Sequence, residues 1–318
     1  MLVASANGET PGFRHDGASE YFSPTLTWTA LTSGKPSFRF LPKGFVLGHK
    51  GSSIRVCDRD QLLILALLNS TVLERFLEYV SPTLDITIAQ ISALPIPEVD
   101  NAEDIVRSAE SLVSASKRDS MSFETSWEFL CSPLVALRDV APALADSYCK
   151  LRAQQEGLVK ECKEHEEAIN EGLIQSFGLG INFEHSVSME HITLECNAIY
   201  RYGLINDRGK RELQFRSDTI CELVSYAVGC MMGRYSLDAP GLIYAHAGNE
   251  GFDPSRYETF PADDDGIVPI TDEAWFDDDG ANRIREFVRV VWGEETEAEN
   301  MAWLAESLGQ KASESPDD

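Results

Sequence analysis

Residues 143–177 read ALADSYCKLRAQQEGLVKECKEHEEAINEGLIQSF, and this stretch decides the fold class. Leu144, Leu151, Leu158 and His165 fall seven apart, as do Tyr148, Gln155, Cys162 and Ile169, which is the repeat of a helix that presents one seam to a partner. The pattern predicts one long helix, stopped by Gly178. Polar breaks at Gln155 and His165 disfavour a free coiled-coil dimer and favour an antiparallel partner within the chain. The nearest candidate is a helix over 101–118, opened by Asn101-Ala102-Glu103-Asp104.

Toward the N-terminus the pattern changes. Thr25 to Ala30, Ser37 to Leu41 and Gly44 to Leu47 are short β-type runs cut by the turns Gly34-Lys35-Pro36 and Pro42-Lys43-Gly44. Leu62, Leu63, Leu65, Ala66, Leu68 and Val72 then repeat at helical spacing, predicting a helix over 59–79 with a break near Asn69-Ser70 and Asp58 or Asp60 as N-cap. Ile86 to Ile96 reads as an extended β-branched stretch closed by Pro95-Ile96-Pro97. Toward the C-terminus, helices are expected over 217–232, 281–292 and 295–308, followed by a disordered-looking acidic tail from Ala312 to Asp318. The fold class is therefore α+β: a small β-rich module, then a mainly helical region with a long helix. The expected divisions are 1–98, 99–180 as a helical spacer, and 181–318 as a mixed, mainly helical acidic region.

The 318 residues carry 27 Lys plus Arg against 52 Asp plus Glu, a formal charge of -25 that repels nucleic acid and anionic lipid at long range. Any DNA contact must therefore be local. Residues 1–50 hold five basic and three acidic side chains, whereas 251–318 hold five basic and nineteen acidic ones. The longest strongly apolar run, Leu62 to Leu68, is too short to span a bilayer, and no secretory signal pattern opens the sequence, so a cytoplasmic protein with no membrane partner is expected. Seven scattered cysteines without a CxxC support neither a disulfide framework nor a zinc ribbon.

The chemistry-bearing patterns are sparse. No GxGxxG, phosphate loop or Asn-Pro-Pro-aromatic tetrapeptide occurs, so no cofactor site and no catalytic residue are assigned in this chain. Gly178-Leu179-Gly180 follows a helix and reads as its cap. Glu161 and Lys163 form an ExK without the carboxylates that a metal-dependent nuclease places before it. Ser225 and Cys230 lie on an apolar helix with no His or acid in reach, which favours packing over nucleophilic catalysis. Asp263, Asp265, Gly266 and Asp272, and again Asp277, Asp279, Gly280 and Glu286, match four positions of a calcium loop. Position one would be Pro261 or Trp275, neither of which offers a side-chain oxygen, and no metal site is assigned. Acids opening the 281–292 helix explain Asp277 to Asp279 more simply.

One stretch is locally basic. Lys35, Arg39, Lys43, Lys50, Arg55 and Arg59 are interleaved with Trp28, Phe38, Phe40 and Phe45, which suits phosphate and base contacts from exposed turns. The residues expected to touch double-stranded DNA are Lys35, Arg39, Lys43, Lys50 and Arg55, with Thr27 and Ser52 as hydrogen-bonding groups.

Several segments taken together carry a family resemblance. Leu26-Thr27-Trp28, Ser33-Gly34-Lys35, Leu41-Pro42-Lys43-Gly44-Phe45 and Gly51-Ser52-Ser53 resemble the target-recognition region of the PglX family, the adenine-specific DNA methyltransferases of BREX phage-defence systems. The similarity continues through Leu67-Leu68-Asn69-Ser70, Ser81-Pro82-Thr83-Leu84 and Leu94-Pro95-Ile96-Pro97. It is most specific at Phe123-Glu124-Thr125-Ser126-Trp127-Glu128-Phe129 and at Tyr226-Ala227-Val228-Gly229-Cys230-Met231-Met232-Gly233-Arg234-Tyr235-Ser236-Leu237, and Ala262 to Ile270 supports it.

The resemblance implies that residues 1–98 are part of a DNA target-recognition domain, and that cofactor-binding and catalytic parts lie upstream in the family. The complete enzyme would use S-adenosylmethionine and methylate adenine, while this chain alone would not. The partners implied are double-stranded DNA, the missing methyltransferase domain and other BREX proteins. Two other readings compete: a protein-interaction module in which the long helix, the 221–235 segment and the acidic C-terminus dock other defence components, and an inactive gene remnant.

Overall fold

The computed structural model describes residues 21–31, 35–47, 51–80, 85–100, 102–180, 183–246, 250–271, 275–311 and 315. Its contacts divide the chain into two units, Met1–Val113 with Glu164–Ser186, and Ser114–Lys163 with Val187–Asp318. The architecture is α+β, with a small antiparallel sheet near the N-terminus followed by helices.

In the first unit β1 (Thr25–Thr29) is the centre of a three-stranded sheet, paired on one side with β2 (Phe38–Leu41) and on the other with β3 (Gly51–Ile54). Gly44 to Leu47, expected as a strand, is not one. The third strand is Gly51–Ile54, whose Gly-Ser-Ser composition hides it, and whose pairing sets Ile54 opposite the fully buried Leu26. Leu26, Trp28 and Phe38 fill the inner face against α1 (Gln61–Asn69) and α2 (Thr71–Val80).

The break between α1 and α2 falls at Ser70, as expected. The Ser70 hydroxyl accepts from Leu73 N–H at 3.2 Å and donates to Leu67 C=O at 2.8 Å. Asp60 holds the N-cap position of α1 but makes no capping bond with its side chain. Asn69 closes part of the β2 edge: its amide accepts from Phe38 N–H and donates to Phe38 C=O, both at 3.0 Å, as a neighbouring strand would.

The extended stretch expected after Ile86 is instead interrupted by α3 (Ile88–Ser92). Thr87 and Gln90 form a reciprocal capping box that outweighs the β preference of the isoleucines, and it turns Ile91 and Leu94 inward. The Ser81 to Leu84 part of the resemblance lies outside the described residues.

The two long helices are α4 (Ala102–Ser120) and α5 (Leu144–Ser176), and the division between units falls inside both. In the first unit they run antiparallel, as the seam requires. Ile105 Cδ1 lies 3.2 Å from where a Cβ on Gly172 would be, and Ser108 Oγ is 3.3 Å from His165 Nδ1. Gly178 ends α5 in the left-handed region at φ 63°, with Leu179 N–H bonded back to Ile174 C=O at 3.0 Å.

The second unit packs α7 (Arg208–Met231), α8 (Gly280–Trp292) and α9 (Glu297–Leu308) around one core, with α6 (Ala198–Arg201) beside α7. Helix α7 starts nine residues before the expected Ser217, because its first turns are charged and show no apolar stripe. Asp207 supplies the start signal by accepting from Lys210 N–H at 2.8 Å. The beginning of α5 is pinned within this unit by Trp292 Nε1–H to Ser147 Oγ at 2.9 Å and by Leu144 N–H to Asn300 Oδ1 at 2.9 Å.

Candidate nucleic-acid interface

The pleat of β1 sorts the candidate residues by face. Thr25, Thr27 and Thr29 alternate with buried Leu26 and Trp28 and point away from the core. Thr27 stands opposite Arg39 on β2 and opposite Ser53 on β3, so Arg39, Thr27 and Ser53 form one row across the outer face. Ser52, the serine singled out from the sequence, pairs with Trp28 and belongs to the inner face. Its carbonyl nonetheless serves the row, accepting from Thr27 Oγ1–H at 2.9 Å. Ser53 was missed because the two adjacent serines look alike until the register is known.

The basic residues divide the same way. Arg39 is exposed, and among the described residues it makes no ion pair. Lys43 is exposed in the Pro42–Gly44 turn, where Gly44 adopts φ 107°. Arg55 is exposed just past β3, beside a shallow open depression that it lines with Val56, Cys57 and Asp58. Lys50 lies outside the described residues.

Lys35 is already engaged, its Nζ 2.9 Å from Glu74 Oε2. A second acid lies near it: Glu166 on α5 has its carboxyl pushed up to about 7, first by burial and then by neighbouring Glu167, with Lys35 pulling the other way. Arg59 pairs with Asp60 at 3.2 Å.

The segments that carry the most specific part of the resemblance lie together in the second unit. Phe129 meets Tyr226 and Tyr235 edge-on, with ring centroids 5.9 and 5.3 Å apart, and the two tyrosines stack at 5.2 Å. Burial pushes the Cys230 thiol up to about 12, so it is no nucleophile at neutral pH, which agrees with the packing role expected for it. No group of His, Cys, Asp or Glu that could hold a metal occurs among the described residues. Asp263 instead accepts from the N–H groups of Asp265, Gly266 and Ile267, and Asp279 caps α8 by accepting from Ala281 N–H at 3.0 Å. No helix of the described residues is long and apolar enough to cross a membrane.

No protein-family model matches the chain. Comparison with curated proteins does place it: along nine-tenths of its length it is homologous to a part of the adenine-specific methyltransferases. It is 41% identical over 295 residues to adenine-specific methyltransferase BrxX of Escherichia coli O9:H4 (strain HS), covering 91% of this chain and 24% of BrxX. It is 32% identical over 302 residues to adenine-specific methyltransferase PglX of Lacticaseibacillus casei (strain Zhang), covering 92% of this chain and 23% of PglX. The resemblance read from the sequence motifs is thus borne out, and the chain spans 24% and 23% of the lengths of these two relatives.

Proposed function

We propose that this chain is the DNA-recognition and C-terminal portion of an S-adenosylmethionine-dependent adenine-N6 DNA methyltransferase acting in phage defence. Methyl transfer itself would then reside in sequence that the chain does not span. The observation that carries this reading is the 41% identity to BrxX along 91% of the chain.

Within it, residues 1–98 act as the recognition module, 99–180 as a helical spacer, and 181–318 as an acidic C-terminal region that keeps company with other protein components. The outer sheet face and its turns meet the duplex. Thr27, Arg39, Lys43, Lys50 and Arg55 supply contacts directly, and Lys35 does so in exchange for its pair with Glu74. A chain of charge -25 binds DNA only through such a local face, so affinity falls steeply as salt rises.

The test is titration of labelled duplex DNA with the 318-residue chain at several salt concentrations, beside a variant carrying Arg39→Glu and Lys43→Glu. Reversing two cations that meet DNA should weaken binding at least about tenfold at low salt and flatten the salt dependence. Equal affinity of the two proteins would remove this face from the interface.

A further inference from the structure

We infer that Arg39 is a specificity-determining residue: set on the edge strand beside the sheet's outer hydroxyls, it reads a guanine in the major groove, whereas Lys43 holds a phosphate. This rests on the DNA-recognition reading above and adds to it which side chain carries sequence information.

The direction in which Arg39 points is fixed by packing on the other side of the sheet. Leu26, Trp28 and Phe38 are 0%, 2% and 4% exposed, so a rotation or one-residue slip of β1 or β2 would bring them into water. In that fixed register Arg39, Thr27 and Ser53 lie side by side across three strands. Strands about 4.8 Å apart make a face roughly 10 Å across, which matches a major groove about 12 Å wide. Sheets do read DNA in this way.

The chemistry separates Arg39 from its basic neighbours. A guanidinium fork matches the O6 and N7 acceptors of guanine with two parallel hydrogen bonds, whereas a lysine ammonium meets them as a compact point charge without that planar fork. Among the described residues Arg39 has no carboxylate to give up before binding, whereas Lys35 is held by Glu74 and Arg59 by Asp60. Thr27 has its hydroxyl proton committed to Ser52 C=O at 2.9 Å, which fixes its rotamer and leaves its methyl group and an oxygen lone pair for the adjacent base pair. Lys43 instead sits at an exposed turn on a flexible stem, suited to a point-charge contact.

The experiment selects bound duplexes from a randomised pool with the 318-residue chain, sequences them, and repeats the selection with Arg39→Ala, Arg39→Lys and Lys43→Ala. The wild-type chain should enrich a guanine at one position. Arg39→Ala should lose that enrichment, with about 10- to 100-fold weaker binding to the enriched sequence and little change on the unselected pool. Arg39→Lys should restore it only in part, and Lys43→Ala should weaken all sequences about equally.

Arg39→Ala weakening every sequence alike, or leaving the enrichment intact, overturns the assignment while DNA binding stands. Wild-type binding without any enriched guanine does the same. Wild-type failure to bind any duplex at low salt overturns the recognition reading itself. Arg39 is exposed, so unchanged thermal unfolding of its variants separates a lost contact from a lost fold.

Discussion

The first unit wears its cations outside, and the second builds with them. Arg39, Lys43 and Arg55 stand exposed around a small sheet, while the buried polar side chains beneath them are neutral: Gln61, Ser70 and Asn170. In the second unit Arg152 lies over the Phe215 ring at 4.1 Å and reaches Glu212 at 3.3 Å, and Arg283 lies over Phe260 at 4.5 Å and pairs with Glu286. Arg201 joins Glu222 at 3.0 Å, and Arg216 joins Glu306 at 3.0 Å over Trp303. The same residue type thus stands exposed in one region and is bound into the packing in the other. Whether carboxylates and aromatic rings close over an arginine decides which.

Arg152→Ala breaks the comparison most forcefully. The Arg152 side chain is 10% exposed, and its guanidinium bonds Gln155, Cys196 C=O and Glu212 while covering Phe215. Truncation removes the packing of its stem over Phe215 and leaves the buried Cys196 C=O without this partner, a loss of about 3 kcal/mol. Urea unfolding should show it directly. The matching control, Arg39→Ala, should fall within about 0.5 kcal/mol of the wild type. If the two variants unfold alike, the division between building and ligand-facing cations fails.

Asn170→Ala probes the neutral interior of the first unit with a smaller expected effect. Asn170 is 3% exposed; its Oδ1 accepts from Thr71 N–H at 3.0 Å and its Nδ2 donates to His185 C=O at 3.1 Å. Without the amide both backbone groups lose their partners, which costs about 2 kcal/mol. A loss below about 0.5 kcal/mol in the same urea experiment would mean that neutral pins do not order this region.

The helical periodicities and their stops were legible in the sequence, and the pairings of individual strands and side chains were not. The α5 seam, the break at Ser70 and the stop at Gly178 follow from residues close in the chain, as do α8 and α9. The strand Gly51–Ile54 and the short helix Ile88–Ser92 escaped because a strand partner and a capping box overrode local propensity. At the candidate site the cluster of cations was visible, but the Lys35–Glu74 pair spans 39 positions and the Arg39–Thr27–Ser53 row depends on register.

The segments on which the sequence resemblance rests most specifically also look different once folded. A Cβ on Gly229 would sit 2.5 Å from the Tyr235 ring, so with this tyrosine in place the position accepts only glycine without a shift. What reads as a signature in the sequence is here a packing constraint in an aromatic core.

Glu166→Gln sharpens the comparison at the smallest scale, because it asks whether the first unit tolerates a charge inside. With its carboxyl raised to about 7 by burial, Glu166 keeps its proton in the folded chain at acid pH, while the unfolded chain releases it near the ordinary 4.5. Between those values the folded state binds the extra proton, so this group's stabilising contribution is full below about 4.5 and declines as pH rises toward 7, then stays lost. The groups that set the balance are Glu167, which disfavours ionisation, and Lys35, which favours it and is itself shared with Glu74. Glutamine mimics the protonated acid at every pH. Glu166→Gln should therefore match the wild type at pH 4.5 and be more stable at pH 8 by about 1 kcal/mol after allowance for solvent screening. A urea midpoint equally displaced, or equally unmoved, at both pH values would show that Glu166 carries its charge in the fold without penalty, and the first unit would then resemble the second.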